Sequence, residues 1–171
     1  QRTFYTSANR FSFAPTFMPD GASYAYVSNA TGPFSVVRAL TAAPNAAVAV
    51  IIGSDAAPNP SHPTISPDGT RVAFGMTNAD GSNTIGTVGI DGSRFTVLGE
   101  GREPSWSPDG KQLAFVRNVN GFDHIYLIDP EKGVRLVELT NGSFDATSPC
   151  WSPDSQFVAF SSNRGFEEAK R

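Results

Sequence analysis

Hydrophobic residues in this chain occur in short runs that alternate with polar residues or are unbroken for a few positions, without the 3.6-residue period of an amphipathic helix. Three pairs of such runs recur along the chain, at residues 34–40 with 48–52, 84–90 with 95–98, and 124–129 with 134–139. Pro, Gly, Asn and Asp separate the members of each pair, as in Pro130-Glu-Lys-Gly133. Short apolar runs bounded by turn residues predict β-strands. The chain is therefore predicted to be all-β.

A recurring motif precedes each pair and also occurs near the C-terminus. Its four copies are Pro15-Thr-Phe-Met-Pro-Asp-Gly21, Pro63-Thr-Ile-Ser-Pro-Asp-Gly69, Pro104-Ser-Trp-Ser-Pro-Asp-Gly110 and Pro149-Cys-Trp-Ser-Pro-Asp-Ser155. Successive motif aspartates are 48, 41 and 45 residues apart. Ser-Pro-Asp-Gly fits a type I turn, because Pro supplies the fixed φ and Gly enters the left-handed region. Each copy therefore predicts a hairpin corner between two antiparallel strands.

Two copies depart from the motif. Met18 replaces the serine in the first copy, and Ser155 replaces the glycine in the last. A residue other than glycine costs about 1–2 kcal/mol in the left-handed region. We therefore expect either a strained corner at Ser155 or a different turn there.

Four short strands in about 45 residues are typical of a β-propeller blade. The units are predicted at approximately 14–57, 58–102, 103–147 and 148–171, with an N-terminal strand within 1–13, where Thr3–Thr6 corresponds to an outer strand. The fourth unit is predicted to have two strands, of which the second lies at 157–162. A polar tail follows at 165–171. The terminal blade is thus predicted to be shared between the N- and C-terminal segments or between protomers. Three architectures stay open. They are a four-bladed ring, a homo-oligomer that completes one larger ring, and a piece of a longer protein.

The pattern Pro-x-Trp-Ser-Pro-Asp-Gly-x-x-Leu/Val-Ala-Phe, followed by Ser162-Asn163-Arg164, resembles the WD40-like (PD40) repeat of the TolB-like propeller family. The resemblance covers nearly the whole chain. It implies a β-propeller that serves as a binding scaffold for a protein or peptide partner, in a periplasmic or extracellular location. Two other functions stay open, namely a carbohydrate-binding lectin with repeated sites and the propeller of a prolyl-oligopeptidase-type serine peptidase.

Chemical motifs are scarce. The sequence has no nucleophile elbow, zinc-protease motif, phosphate-binding loop or dinucleotide fingerprint, so no enzymatic activity, cofactor or metal is predicted. The loop Asn78–Asn83 superficially resembles a calcium loop but lacks the closing acid, and a hairpin loop is expected instead. A net charge of −3 without a basic stripe argues against nucleic acid. The longest apolar run, 46–52, is too short to span a membrane.

Three residues have expected packing roles. Cys150, the one cysteine, lies between Pro149 and Trp151 and is predicted to be a small buried thiol. Trp106 and Trp151 occupy matching motif positions. We expect both to be wedges between blades, with sugar-stacking platforms as the alternative.

Candidate binding residues are those at which the repeats differ. Directly before the motif prolines stand Ala14, His62, Glu103 and Ser148, near one mouth of the predicted channel. A second set follows the second strand of each unit, namely Asn29, Asn78, Asn118 and Asn163, with Arg164 beside the last. Because loops on a rigid scaffold usually carry recognition, a ligand is expected at one of these rims. The alternative is that all of them are ordinary solvated loop residues.

Overall fold

The computed structural model describes residues 11–43, 48–133 and 136–165. Within these ranges every element is a β-strand, and every strand pair is antiparallel. The described residues contain no helix that is long and apolar enough to cross a membrane. The predicted strand Thr3–Thr6, the loop at Pro44 and Asn45, and residues 166–171 of the predicted tail lie outside the described residues.

The strands form three four-stranded blades and one two-stranded sheet, each in sequence order from the innermost strand outward. Blade 1 has β1 (Ser12–Phe17), β2 (Ser23–Ser28), β3 (Ser35–Leu40) and β4 (Ala49–Ile52). Blade 2 has β5 (Pro60–Ile65), β6 (Arg71–Thr77), β7 (Asn83–Gly89) and β8 (Thr96–Glu100). Blade 3 has β9 (Arg102–Trp106), β10 (Leu113–Val119), β11 (Phe122–Ile128) and β12 (Val137–Glu138). Blade 4 has β13 (Ala146–Trp151) and β14 (Val158–Ser162).

Adjacent innermost strands contact one another, β1 with β5, β5 with β9, and β9 with β13. The sheets therefore follow one another around an axis, and the described chain is a partial β-propeller. The predicted all-β propeller fold is confirmed. The predicted strands lie within two or three residues of the observed ones. Of the predicted strand 134–139, residues 134 and 135 lie outside the described residues, and Val137–Glu138 is observed as a strand.

In the second strands of blades 2 and 3, large side chains face the preceding blade and an alanine faces the next blade. Phe74 of blade 2 packs against blade 1, and Phe115 of blade 3 packs against blade 2. The alanine between the large residues of each second strand points the other way, as Ala73 does when it meets Leu113 and Phe115. This complementarity fills the space between sheets, and the core consists of the layers between blades.

Trp106 is one of these wedges. It is 6% exposed and packs in the cluster that joins blades 2 and 3, with the Arg71 guanidinium 4.8 Å from its ring centre. Trp151 is half-buried between blades 3 and 4, where its Nε1 donates to the Ser105 carbonyl at 3.0 Å. The prediction that both are interblade wedges is confirmed.

The prediction that Cys150 is buried was wrong, because its thiol is exposed. Side chains alternate along a strand, so Cys150 points away from the face on which Trp151 packs against blade 3. No described blade covers that opposite face of blade 4. The apolar neighbours in sequence therefore do not bury the thiol.

The Pro-Asp motifs form the corners between the first and second strand of every blade, and these corners pack on one another. A Cβ added to Gly69 would lie 3.4 Å from Met18 Cε, and one added to Gly110 would lie 3.8 Å from Pro67 Cδ. Ser155 keeps the left-handed backbone of the glycines, with φ +60°. Its hydroxyl accepts the Asp109 main-chain N–H at 3.1 Å, a bond that glycine could not provide. The same turn is thus retained at Ser155.

Candidate functional site

Strand direction places the two sets of predicted binding residues at one end of the propeller. The innermost strands begin there, the second strands end there, and the connections between blades cross there, as the pairing of Ser12 with Ser28 illustrates. We call this the mouth end, and the opposite end, which carries the Pro-Asp turns, the corner end. The sets are Ala14, His62, Glu103 and Ser148, and Asn29, Asn78, Asn118, Asn163 and Arg164. The structure therefore brings both sets to the same rim.

The first set occupies a β-bulge that recurs in all four innermost strands. The pairing register with the second strand shifts at this point in each blade. The four residues have left-handed backbone, with φ of +51° at Ala14, +47° at His62 and +54° at both Glu103 and Ser148. Proline follows each of them, and it is compatible with this position because the strand is a sheet edge and the bulge breaks the ladder. Each blade thus presents one side chain of its own from an identical backbone feature.

Glu103 links two of these bulges. Its Oε2 accepts the main-chain N–H of Ser148 at 2.9 Å, although the two residues belong to different blades. The Arg102 guanidinium pairs with Glu103 and also with Asp123 at the start of β11. Asp123 in turn donates its main-chain N–H to Asp145 Oδ1 at 3.0 Å. A network of charged groups therefore joins blades 3 and 4 across the mouth end.

The asparagines hold the backbone of the rim. Asn29 Oδ1 accepts the Phe11 N–H at 2.6 Å, and Asn163 Oδ1 accepts the Asp145 N–H at 2.7 Å. Each of these bonds ties the end of a second strand to the segment that enters the innermost strand. Asn78 donates to Ser82 Oγ, and Asn118 accepts the Gly121 N–H, within their own hairpin loops. These four side chains therefore have structural partners, and their role in binding stays a prediction.

The remaining predicted residues at the rim differ in exposure. The Arg164 guanidinium lies 5.2 Å from the centre of the Phe144 ring. His62 is exposed at the surface of its bulge. Asp80, in the loop that resembled a calcium site, accepts both the N–H and the hydroxyl of Ser82, and these bonds lower the pKa of its carboxyl. That loop is the expected hairpin loop.

A cleft of about 230 Å³ opens between blades 2 and 3 at the mouth end. Glu100, Arg102, Arg117 and Asn118 line it, together with the backbone around Gly81 and Gly101. Arg117 pairs with Glu100 at 3.2 Å and stacks over the Tyr126 ring. The cleft therefore presents charged groups of both signs, together with amide donors and acceptors. It is suited to polar recognition.

Sequence reasoning missed Arg102, Arg117, Asp123 and Glu100. One local signal existed for Arg102, because the matching positions are Phe13, Ser61 and Thr147, so a charge appears there in blade 3 alone. The others become neighbours only after strands distant in sequence have paired. No sequence motif indicates that arrangement.

Comparisons with known proteins agree on the fold. No protein-family model matches the chain. Over 117 residues it is 31% identical to the uncharacterized peptidase YuxL of Bacillus subtilis, covering 63% of this chain and 18% of that protein. The solved structure of a putative TolB from Agrobacterium tumefaciens matches with a TM-score of 0.74 at 23% identity, covering 90% of this chain and 56% of that one. A puromycin-hydrolyzing peptidase of Mycobacterium tuberculosis matches with a TM-score of 0.67 at 18% identity, covering 81% and 23%.

The chain thus spans less than two thirds of each of these proteins. They include a TolB and peptidases, so the likeness establishes a fold and not an activity. The repeated Pro-Asp corners, the interblade wedges and the structural likeness agree. The chain has the TolB-like β-propeller fold.

Proposed function

We propose that the chain is a non-enzymatic recognition module that binds a protein or peptide segment at the mouth end of the propeller. The observation that carries the proposal is the bulge, which places a different side chain at one backbone position in each of four blades. Four residues other than glycine adopt a conformation that costs about 1–2 kcal/mol each. Variation of side chains on a constant backbone is the arrangement by which scaffolds recognise ligands.

The chemistry of the rim supports a peptide ligand. The bulges offer an imidazole at His62, a carboxylate at Glu103 and a hydroxyl at Ser148, and the neighbouring cleft adds the guanidinium groups of Arg102 and Arg117. Donors, acceptors and both signs of charge therefore lie on one rim. Peptides carry matching groups in their backbone and side chains. We also propose a periplasmic or extracellular location, for which the TolB-like fold is the support.

Selection from a displayed random-peptide library tests the proposal. We expect enriched peptides to bind His62→Ala and Glu103→Gln about tenfold or more weakly than the wild type, as for residues central to an interface. Lys111→Ala is the matched control, since Lys111 is exposed at the corner end. Equal binding to all three variants, or no enrichment, would contradict binding at the mouth. Folding of each variant is verified by its unfolding midpoint.

A second candidate is that the chain is the propeller part of a peptidase. The supporting observation is the 31% identity to YuxL, of which the chain spans 18%. The test is the complete gene, where this candidate requires an α/β-hydrolase domain with a nucleophile elbow, followed by a peptide-hydrolysis assay of its product. The carbohydrate alternative has no such support, because Trp106 and Trp151 pack between blades.

A further inference from the structure

The layers between blades end differently at the mouth end. Met76 and Arg117 occupy the same position of the repeat, two residues after Phe74 and Phe115. Met76 is 2% exposed and packs in the core cluster between blades 1 and 2, so it closes that layer. Arg117 instead lines the cleft of about 230 Å³ between blades 2 and 3. The second layer therefore ends in an opening with a guanidinium group in its wall.

The size of the cleft limits what it can hold. Three segments bound it, namely the β6–β7 hairpin at 81–83, the connection between the blades at 100–102, and the end of β10 at 116–118. Its volume of about 230 Å³ lies below the range of about 300–1,000 Å³ that is typical of pockets for whole small molecules. A site of this size suits one side chain or one chain terminus of a larger ligand.

The Arg117 guanidinium is held in place but only partly bonded. It stacks 5.8 Å from the centre of the Tyr126 ring, and its Nη2 donates to Glu100 Oε2 at 3.2 Å. Its Nε is buried and has no hydrogen-bond partner among the described residues. The Nε and Nη2 donors of an arginine lie side by side and together bind a carboxylate through two parallel hydrogen bonds. Glu100 therefore uses one half of this fork.

Glu100 is a weakly held counterion. Its side chain is 69% exposed, whereas that of Arg117 is 32% exposed. An ion pair with an exposed partner contributes little to stability, because water screens it and ordering a long side chain costs entropy. Arg102, the other arginine among the described residues that line the cleft, pairs with both Glu103 and Asp123. Arg117 is therefore the cation whose carboxylate partner a ligand can replace.

We propose that this cleft binds a carboxylate group of the peptide segment that the mouth end recognises, an inference that rests on the proposed function. The ligand carboxylate takes the place of Glu100 and accepts hydrogen bonds from both Nε and Nη2 of Arg117. The Oδ1 atoms of Asn83 and Asn118, which also line the cleft, already accept hydrogen bonds from the chain. The unused groups at Arg117 are donors, and a ligand acceptor matches them.

The surrounding charges favour a carboxylate over a phosphate. Three carboxylates, those of Glu100, Glu103 and Asp123, pair with the two arginines of the cleft. A carboxylate that displaces Glu100 leaves the charge beside Arg117 unchanged, whereas a phosphate group carries more than one negative charge at neutral pH. The ligand group belongs either to a C-terminus or to an Asp or Glu side chain, and both present the same two oxygens to Arg117.

Small acids test the cleft directly. The probes are N-acetylglycine, which carries a C-terminal carboxylate, and the α-amide of N-acetylglutamate, which carries a side-chain carboxylate; N-acetylglycinamide is the uncharged control. Nitrogen-15 NMR follows the Arg117 Nε–H. We expect at least one acid to shift this signal saturably, with a dissociation constant in the millimolar range as for ligands of few atoms, and the amide to leave it unchanged. The acid that binds more tightly identifies the source of the carboxylate.

Two results of this titration would overturn the proposal. One is the absence of a saturable shift of the Arg117 Nε–H with either acid. The other is an affinity for inorganic phosphate that equals or exceeds the affinity for the acids, which would indicate a general anion site.

Variants of Arg117 test the fork. Arg117→Gln should weaken binding of the better acid about tenfold or more, followed through the main-chain N–H of Gly101, which also lines the cleft. Arg117→Lys keeps the positive charge without the two parallel donors and should also bind more weakly than the wild type. Arg94→Gln makes the same change of charge at an exposed corner-end position and should bind as the wild type does. Unchanged binding by a folded Arg117→Gln or Arg117→Lys variant would contradict the proposed geometry.

Displacement of Glu100 has its own test. Glu100→Gln removes the competing carboxylate and should tighten binding about two- to fivefold, as expected when an exposed ion pair no longer has to break. Glu131→Gln is the matched control, because Glu131 is 71% exposed and pairs with Arg71, which stacks over Trp106 at the corner end. It should leave binding unchanged. Weaker binding by Glu100→Gln would show that the ligand does not replace Glu100.

The displayed-peptide selection separates this inference from the proposed function. Enriched peptides that bind at the mouth end, while neither acid shifts the Arg117 Nε–H, would overturn the carboxylate site alone. Acids that bind in the cleft, without any enriched peptide, would overturn the proposed function and support the cleft as a carboxylate site.

Discussion

The corner end and the mouth end of this propeller use the same four strands in opposite ways. At the corner end blades 2, 3 and 4 repeat one set of bonds, in which the serine hydroxyl donates to the aspartate Oδ1 at 2.6, 2.7 and 2.6 Å. At the mouth end the repeated feature is the backbone bulge, and its side chains are all different. Repetition of side chains therefore specifies the fold, and repetition of the backbone alone leaves the side chain at that position free to vary.

The corner-end wedges should have the largest effect on stability. Trp106→Ala removes a 6% exposed side chain from the layer between blades 2 and 3, directly before a Pro-Asp corner. We expect a loss of about 3–5 kcal/mol in the free energy of unfolding, because the cavity between two sheets cannot collapse fully. Urea denaturation measures it. Val97→Ala, at an exposed position of β8, is the control and should change stability by less than about 1 kcal/mol. A small effect for Trp106→Ala would show that the layers between blades are not the core.

A single corner hydroxyl should have an intermediate effect. Ser66 is 2% exposed, and its Oγ accepts the Arg71 N–H at 2.9 Å while it donates to Asp68. Ser66→Ala leaves that part-buried N–H without its acceptor and should cost about 1–2 kcal/mol. The mouth-end counterpart Ser148→Ala removes an exposed hydroxyl and should cost less than about 0.5 kcal/mol. Equal losses in the two variants, measured by the same denaturation assay, would erase the difference between the ends.

The corners should also govern stability in acid. Hydroxyl and main-chain donors lower the pKa of Asp68, Asp109 and Asp154, with the serine hydroxyl as the largest cause in each. Because the folded-state pKa lies below the unfolded value of about 3.9, this stabilisation is complete above that pH. It is lost as the pH falls through the folded-state pKa values.

Removal of the three corner hydroxyls tests this linkage. A triple variant with alanine at Ser66, Ser107 and Ser152 should lose less stability between pH 5 and 2 than the wild type does, and thermal unfolding across that range measures it. The control triple variant has alanine at Ser54, Ser143 and Ser161, whose hydroxyls make no bond to a described carboxylate. It should keep the wild-type pH dependence. An unchanged acid profile in the corner variant would contradict the role of the hydroxyls.

The same contrast explains what could be predicted from the sequence. The corners were predictable because Pro, Asp and Gly fix the backbone locally, and Ser155 kept the turn despite its cost. The bulge was not predictable from the sequence, because it arises from how the innermost strand pairs with the second strand. The exposure of Cys150 depends on which faces a further blade covers, and strand alternation carries no such information. The Arg102 and Asp123 pair joins residues 21 positions apart in sequence.

The smallest effects are expected at the mouth-end bulge, and they separate backbone from side chain there. His62 has an exposed side chain and a left-handed backbone with φ +47°. His62→Ala should change the free energy of unfolding by less than about 0.5 kcal/mol, because it removes an exposed group and keeps the strain. His62→Gly should be as stable as the wild type or more so, since glycine tolerates positive φ. His62→Val should be the least stable, because a β-branched residue fits this region poorly. If valine and glycine were equal in denaturation, the bulge would relax in solution, and the constant backbone on which the mouth-end proposal depends would be absent.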